Sequence, residues 1–423
     1  MKAVITPSHL HSADISIPSS KSLSHRALIC AALAEGESVI ADLVENKDTE
    51  ATIRCLRQLG ASFERNGNVL HVKGTSRKTI YDGSVLDCNE SGSTLRFLIP
   101  VFAALHEHAR FTGHGRLMER PQDVYADLFH RQGLSFEKMD SVLKVQGLLK
   151  GGEYSIRGDV SSQFISGLLF ALPLLQEDSV LHVSEPFESR SYVGLTMDAL
   201  EKAGIVVKMN GNDLFIPGNQ TYRPFETRIA GDESQAAFFG VLSAMTGTSL
   251  KVCNVAEHSH QGDRVYRDVL KQAGCASVWE DNGWKFLPGK LKAFTADLAD
   301  CPDLGPVLFA LATQCEGTSV FTHCERLRIK ESDRIACMQE ELAKLGCAME
   351  STGDTVTIQG KTAVRGGVML NGHNDHRIVM ALSVLACTAD SPVMIEGAEA
   401  VNKSYPDFFR DLAGTGVLIA YDQ

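Results

Sequence analysis

The chain has no CxxC pair among its 11 cysteines and no HExxH or comparable ligand set among its 14 histidines, so no transition-metal site is expected. Cys30, Cys55, Cys315 and Cys387 sit instead inside apolar periodic segments, where a reduced thiol behaves as a small core residue. Long hydrophobic runs are also missing. The apolar stretch Gly167 to Leu175 falls far short of the roughly 18 residues that would span a bilayer, and the start, MKAVITPSHLHSAD, has no apolar signal-peptide region. A cytosolic location is the expectation. Positive charge is in deficit: 41 Lys and Arg face 52 Asp and Glu, a net charge of −11 at pH 7, which argues against nucleic acid or an anionic membrane as a partner. Any anion site must therefore be a local concentration of Lys and Arg.

What is present is a globular composition, 44% apolar and 22% charged, in a chain of 423 residues. That length exceeds what one hydrophobic core usually serves and predicts two domains of roughly 200 residues each. A repeat is visible as well. Helices ending in Leu-x-x-Leu-Gly-Ala or a close variant place glycine at Gly60, Gly133, Gly204, Gly274, Gly346 and Gly416, at intervals of 73, 71, 70, 72 and 70 residues. After each of the first five glycines comes a strand, a polar turn and a second strand ending in glycine, as in VLHVKG, VLKVQG, LFIPG, KFLPG and VTIQG. Asn66-Gly67, Asn210-Gly211 and Asn282-Gly283 are the expected hairpin turns.

A second, more apolar helix recurs with starts marked by Ser22, Gly92, Ser162, Asp232, Asp303 and Asp375, spaced by 70, 70, 70, 71 and 72 residues. Two independent markers with one period predict six βαβαββ units. Helices this apolar belong beneath sheets rather than on a solvated face. The sixth unit stops at Gln423 without its closing hairpin, while strand patterns near Ala3 to Ile5 and Ala13 to Pro18 are left over at the other end. The two chain ends are thus expected to complete one unit together. That makes residues 1–19 with 231–423 one discontinuous three-repeat domain and residues 20–230 the other, with crossings near Ser19 and Gly231 that would act as a hinge.

Helix N-termini carry unsatisfied N–H groups and the positive end of a dipole, so a set of such termini facing one cleft favours polyanionic ligands. Fixed charge clusters beside these starts: Lys21 and Arg26, Arg96, Arg120, then Arg334, Arg377 and Lys403. A lysine in the first turn, as at Lys21, opposes the dipole unless an anion is present.

The motifs PSSKSLSHRAL, ESGSTLR, RLMERP, SSQF, GDESQAA, KESDR, NDHR and KSYPDFF, spread over essentially the whole chain, closely resemble those of the 5-enolpyruvylshikimate-3-phosphate synthase family. The resemblance implies an inside-out α/β barrel of two domains, three repeats in each. It implies transfer of the enolpyruvyl group of phosphoenolpyruvate to the 5-hydroxyl of shikimate 3-phosphate, with loss of phosphate through a tetrahedral intermediate. That chemistry needs no cofactor, only a base, an acid and cations around the phosphates and carboxylates. A monomer and inhibition by the phosphoenolpyruvate mimic glyphosate are also expected.

Carried over residue by residue, the resemblance makes Lys21, Asp303 and Glu331 the proton-transfer groups, with Asp303 the base for the 5-hydroxyl. Phosphoenolpyruvate would be held by Lys21, Gly92, Arg120, Arg334, Arg377 and Lys403, since guanidinium forks match phosphate and carboxylate. Shikimate 3-phosphate would be held by Lys21, Ser22, Arg26, Ser161, Ser162, Gln163, Ser189, Asp303 and Lys330. Bland alternatives stand beside several of these: helix capping for Ser161, Ser162 and Asp303, a tight turn for Gly92 and Ser93, and ordinary loop or core roles for Ser189 and Tyr192. Asp232 is read as a cleft or hinge carboxylate. The chain departs from the commonest family pattern with Glu90 for Asn, Phe97 for Pro and Arg190 for Lys. Two rival readings are the sister enzyme acting on UDP-N-acetylglucosamine, whose usual Lys-Asn is here Lys21-Ser22, and a non-catalytic binding homologue.

Overall fold

The computed structural model describes residues 1–75 and 81–422; Gln423, where the sixth unit was expected to stop, lies outside them. The chain divides into two compact units, Met1–Pro18 with Gly231–Gln423, and Ser19–Ala230. Each unit has its own apolar core.

Among the described residues six four-stranded sheets recur on one plan. The sheet built from Val85–Asp87, His108–Thr112, Val142–Gln146 and Ser135–Met139 is typical. A short first strand runs parallel to the second, which pairs antiparallel with one arm of a hairpin. Hairpin turns carry the positive-φ residues their tight geometry demands: Gly67 at 61° and Gly211 at 62° follow Asn66 and Asn210. At the third Asn-Gly pair the turn falls two positions earlier. Glu280 pairs with Gly283, so Asp281 and Asn282, both left-handed, form the turn and Gly283 joins the strand.

The second, apolar helix of each segment is buried almost throughout: Lys21–Leu33, Gly92–Leu105, Ser162–Ala171, Glu233–Thr246, Gly305–Gln314 and His376–Ala386. Five begin at a polar cap, Ser20, Ser91, Ser161, Asp232 or Asp375, whose side chain accepts from a backbone N–H of the first turn. Asp232 is therefore a helix cap. The exception is the helix Gly305–Gln314, which continues from a 3-10 turn, Pro302–Leu304, without a side-chain cap. Asp303 in that turn is left to do something else.

Long-range pairing decides the strands at the chain crossings. Lys2–Thr6 inserts between Val393–Glu396 and Leu418–Asp422, so the two chain ends share one sheet. The other leftover strand, Asp14–Ser16, does not join it but runs parallel to Lys251–Cys253. Conversely Glu226–Arg228, the last strand before the second crossing, lies parallel to Glu37–Ala41. Each of these strands thus pairs in the unit where it resides rather than with the strand that follows its own next helix. Among the described residues no helix is long and apolar enough to cross a membrane.

Candidate active site

Functional side chains gather at helix starts in each unit. In the Ser19–Ala230 unit, Lys21 is the first residue of its helix, directly after the Ser20 cap. Its ammonium meets Asp48 Oδ2 at 3.0 Å, and the side chains are only 16% and 9% exposed, so a carboxylate offsets the unfavourable dipole. Asp48 was not among the expected residues; it opens the helix Lys47–Gln58 under an Asn46 capping box, a pattern the local sequence N-K-D-T does contain. Beneath it runs a buried chain of hydroxyls and imidazole: His25 Nδ1 to Thr52 Oγ1 at 2.8 Å, Thr52 to Thr94 at 2.6 Å, and Thr94 to Ser91 Oγ at 2.7 Å. Burial, then the nearby Lys21 and Arg26, push the His25 imidazole well below its usual value, so it is neutral.

Arg26 is buried, donating to Ser22 O at 2.7 Å, Tyr192 O at 2.8 Å and Thr196 Oγ1 at 2.8 Å, and lying over the Phe97 ring at 5.3 Å. All three partners are neutral oxygens. Burial without a carboxylate beside it pushes the guanidinium down to about 10. Phe97, where the family often has Pro, is therefore the platform for Arg26.

The arrangement around Gly92 is sharper. Gly92 begins its helix, and a Cβ there would stand 2.7 Å from Arg120 Nη1 and 3.1 Å from Cζ. The Arg120 residue is 9% exposed, its Nε is buried, and its guanidinium makes no hydrogen bond or ion pair among the described residues. A desolvated guanidinium with empty donors is costly unless a ligand supplies the acceptors. Alongside, Gln163 donates to Ser93 Oγ at 3.0 Å and accepts from Arg96 at 2.9 Å, with Arg96 also donating to Pro121 O at 2.9 Å. Ser161 caps the helix that Ser162 and Gln163 begin, accepting from Gln163 N at 3.3 Å. Ser189 is buried in the left-handed region, φ 53°, at the start of the helix Arg190–Lys202. Glu90 turns its carboxylate toward Gly115, where a Cβ would lie 2.6 Å from it. Arg190 donates to Gly211 O at 2.7 Å and lies over the Phe187 ring.

In the other unit the turn that leaves Asp303 uncapping brings it between two arginines. Its Oδ1 is 3.0 Å from Arg334 Nη1, its Oδ2 is 2.8 Å from Arg377 Nη2, and Lys330 Nζ is 3.8 Å away. Burial alone would raise this carboxyl, but Arg377, Lys330 and Arg334 outweigh it and hold it far below the usual carboxylate range. Arg334, 1% exposed, also grips Glu331 Oε2 at 2.7 Å and Asp375 Oδ2 at 2.9 Å. Asp375 is fully buried, caps the helix through Arg377 N at 2.9 Å and accepts from Ser332 Oγ at 3.0 Å. Arg377 further donates to Ser234 Oγ at 3.0 Å. Burial, reinforced by Arg326 and Arg334 against the pull of Asp303, pushes the Lys330 ammonium down to about 7. Lys403 donates to Asn374 O at 2.6 Å, at the same loop. Asp375, Ser332 and Ser234 were not expected as site residues; Asp375 was visible only as a repeat marker.

The model of the EPSP synthase family, 3-phosphoshikimate 1-carboxyvinyltransferase, matches residues 5–412. The chain belongs to the EPSP synthase family. Among relatives, the 3-phosphoshikimate 1-carboxyvinyltransferase of Clostridium kluyveri is 43% identical, covering 97% of this chain and 96% of its own, and that of Clostridioides difficile is 38% identical, covering 97% of each. The solved EPSP synthase of Acinetobacter baumannii superposes with a TM-score of 0.83 at 26% identity, over 99% of this chain and 100% of its own. The activity is that of the EPSP synthases: the enolpyruvyl group of phosphoenolpyruvate passes to shikimate 3-phosphate with loss of phosphate, in the shikimate pathway to aromatic amino acids. Buried guanidinium groups such as that of Arg120 suit the anionic substrates.

Proposed function

We propose that Asp303 is the base that takes the proton of the 5-hydroxyl, with Lys21 and Glu331 the other proton-transfer groups. In this reading Arg120, Arg334, Arg377 and Lys403 bind phosphoenolpyruvate together with Lys21, and Gly92 leaves the room its phosphate needs. Ser22, Arg26, Ser161, Ser162, Gln163, Ser189 and Lys330, with Lys21 and Asp303, bind shikimate 3-phosphate. The observation that carries this reading is the contrast between Arg120, buried with no hydrogen-bond or ion-pair partner among the described residues, and Asp303, held by two arginines. A carboxylate so held is ionised but a weak base. Substrate anions that draw Arg334 and Arg377 toward themselves relieve that hold and raise the basicity of Asp303 when the acceptor hydroxyl is present.

The Ser19–Ala230 unit is assigned mainly to the acceptor and the other unit to proton transfer. Six sheets of one plan, three per unit, support the finer architecture of an inside-out α/β barrel of six βαβαββ repeats. A cytoplasmic monomer inhibited by glyphosate completes the proposal; full activity at millimolar glyphosate contradicts the last point. Steady-state kinetics test the roles. Asp303→Asn lowers kcat by about 10²- to 10⁴-fold, as loss of a general base does, while Arg120→Ala acts chiefly on the KM for phosphoenolpyruvate. Unchanged kcat in folded Asp303→Asn protein overturns the assignment.

A further inference from the structure

Two rungs join the helices Lys21–Leu33 and Lys47–Gln58. The first is the Lys21–Asp48 pair at the helix starts, 3.0 Å long. Four residues further along each helix, and so on the same face, His25 Nδ1 meets Thr52 Oγ1 at 2.8 Å. Thr52 also reaches a third helix, Gly92–Leu105, where its hydroxyl is 2.6 Å from Thr94 Oγ1. Thr94 in turn donates to Oγ of Ser91, the cap of that helix, at 2.7 Å. A hydroxyl has one proton to give. Since Thr94 gives its own to Ser91, it accepts from Thr52, and Thr52 accepts from the Nδ1–H of a neutral His25. Asp48 O lies 3.4 Å from both threonine hydroxyls, within the same knot.

We propose that Thr52 is a positioning residue for enolpyruvyl transfer: its hydroxyl, held between His25 and Thr94, sets where Lys21 and the helix start at Gly92 stand relative to each other. The inference rests on the reading that both serve phosphoenolpyruvate. Stability gives little reason for a polar knot here. His25, Thr52, Ser91 and Thr94 have no solvent exposure, and apolar side chains of matching shape can fill such a site about as stably. His25 Nε2 is moreover buried without a hydrogen-bond partner among the described residues, which is a cost.

What apolar packing lacks is direction. Bonds of 2.6 to 2.8 Å with one donor order hold three helices at one separation, where apolar surfaces can slide. Each of those helices begins with a group of the site: Lys21 four residues before His25, Asp48 four before Thr52, and Gly92 two before Thr94. A Cβ at Gly92 would already stand 2.7 Å from Arg120 Nη1, so a small shift of this helix start changes the room left for a phosphate.

Valine matches threonine in shape but has no hydroxyl. Thr52→Val puts a methyl where Oγ1 stands 2.6 Å from Thr94 Oγ1 and 2.8 Å from His25 Nδ1, contacts that carbon makes only at about 3.3 Å or more. The helices must part, and His25 Nδ1–H loses its acceptor. Serine keeps the hydroxyl and loses the methyl. In full-length protein checked for folding by circular dichroism, initial rates are measured with phosphoenolpyruvate varied and shikimate 3-phosphate saturating. Thr52→Val is expected to raise the KM for phosphoenolpyruvate roughly 3- to 10-fold, the weight of one neutral hydrogen bond, and Thr52→Ser to stay within about twofold of the wild type. A packing role alone gives the reverse order, with serine impaired and valine tolerated, and loss of folded protein lowers kcat without moving KM. Thr94→Val carries the same test should Thr52→Val not fold, and the double variant is expected to be little worse than either single one. An unmoved KM in the folded valine variants, or serine as harmful as valine, overturns the proposal. Gly92→Ala, measured alongside, separates the two levels: no rise in KM there overturns the substrate reading and this inference with it, while a rise there with none in folded Thr52→Val overturns this inference alone.

Discussion

Substituting Gly92 by alanine isolates the contact between the helix start and Arg120. No positive φ is recorded at Gly92, so alanine suits the backbone and the perturbation is steric alone. The new methyl would stand 2.7 Å from Nη1, 3.1 Å from Cζ and 3.1 Å from Nη2 of Arg120, well inside ordinary contact distance. The guanidinium must withdraw by roughly half an ångström or more, enough to spoil a charge-assisted hydrogen bond worth about 1.5–3 kcal/mol. At 1.4 kcal/mol per decade, the KM for phosphoenolpyruvate should rise about 10- to 100-fold. The inhibition constant for glyphosate should rise with it, and kcat should change less. Initial rates with shikimate 3-phosphate saturating and phosphoenolpyruvate varied are the assay, and Arg120→Ala is made alone and combined with Gly92→Ala. If the methyl acts through Arg120, the double variant is little worse than Arg120→Ala. A KM and glyphosate inhibition unchanged by Gly92→Ala, or fully additive losses, refute the reasoning.

Replacing Asp375, fully buried against Arg334, by asparagine leaves that arginine short of a counter-charge; urea denaturation should show a loss of about 3–5 kcal/mol, as breaking a buried pair does. Phe97→Ala removes a side chain that is 1% exposed and 5.4 Å from the Phe170 ring, and should cost about 3–5 kcal/mol by the same measurement while raising the KM for shikimate 3-phosphate through loss of the Arg26 platform. His373 has a raised pKa in the folded chain, so its stabilising contribution is complete below the unfolded value of about 6.5 and is lost as pH rises through about 10. The stability of the wild type should therefore fall more steeply than that of His373→Asn between those limits, and parallel curves contradict it.

Much of the local architecture was legible because its causes are local. Ser161, Asp232 and Asp375 stand at or beside the repeat markers because a short polar side chain satisfies the free N–H groups of an apolar helix, and the glycine after the other helix of each unit takes up a left-handed turn. What could not be read depends on contacts distant in sequence. Asp14–Ser16 pairs with Lys251–Cys253, and nothing in either strand names the other. Asp303 looks like the other caps until the fold carries Arg334 and Arg377 to it. Asp48 has an ordinary helix-start sequence, and only packing puts it against Lys21. That Arg120 Nε is buried without a hydrogen-bond partner among the described residues is likewise a property of the folded chain.

The most direct test is phosphate release from phosphoenolpyruvate by the purified chain. The account predicts release only when shikimate 3-phosphate is present, one phosphate for each enolpyruvyl group transferred. Release that proceeds with UDP-N-acetylglucosamine in its place, or no release with either acceptor, would contradict it.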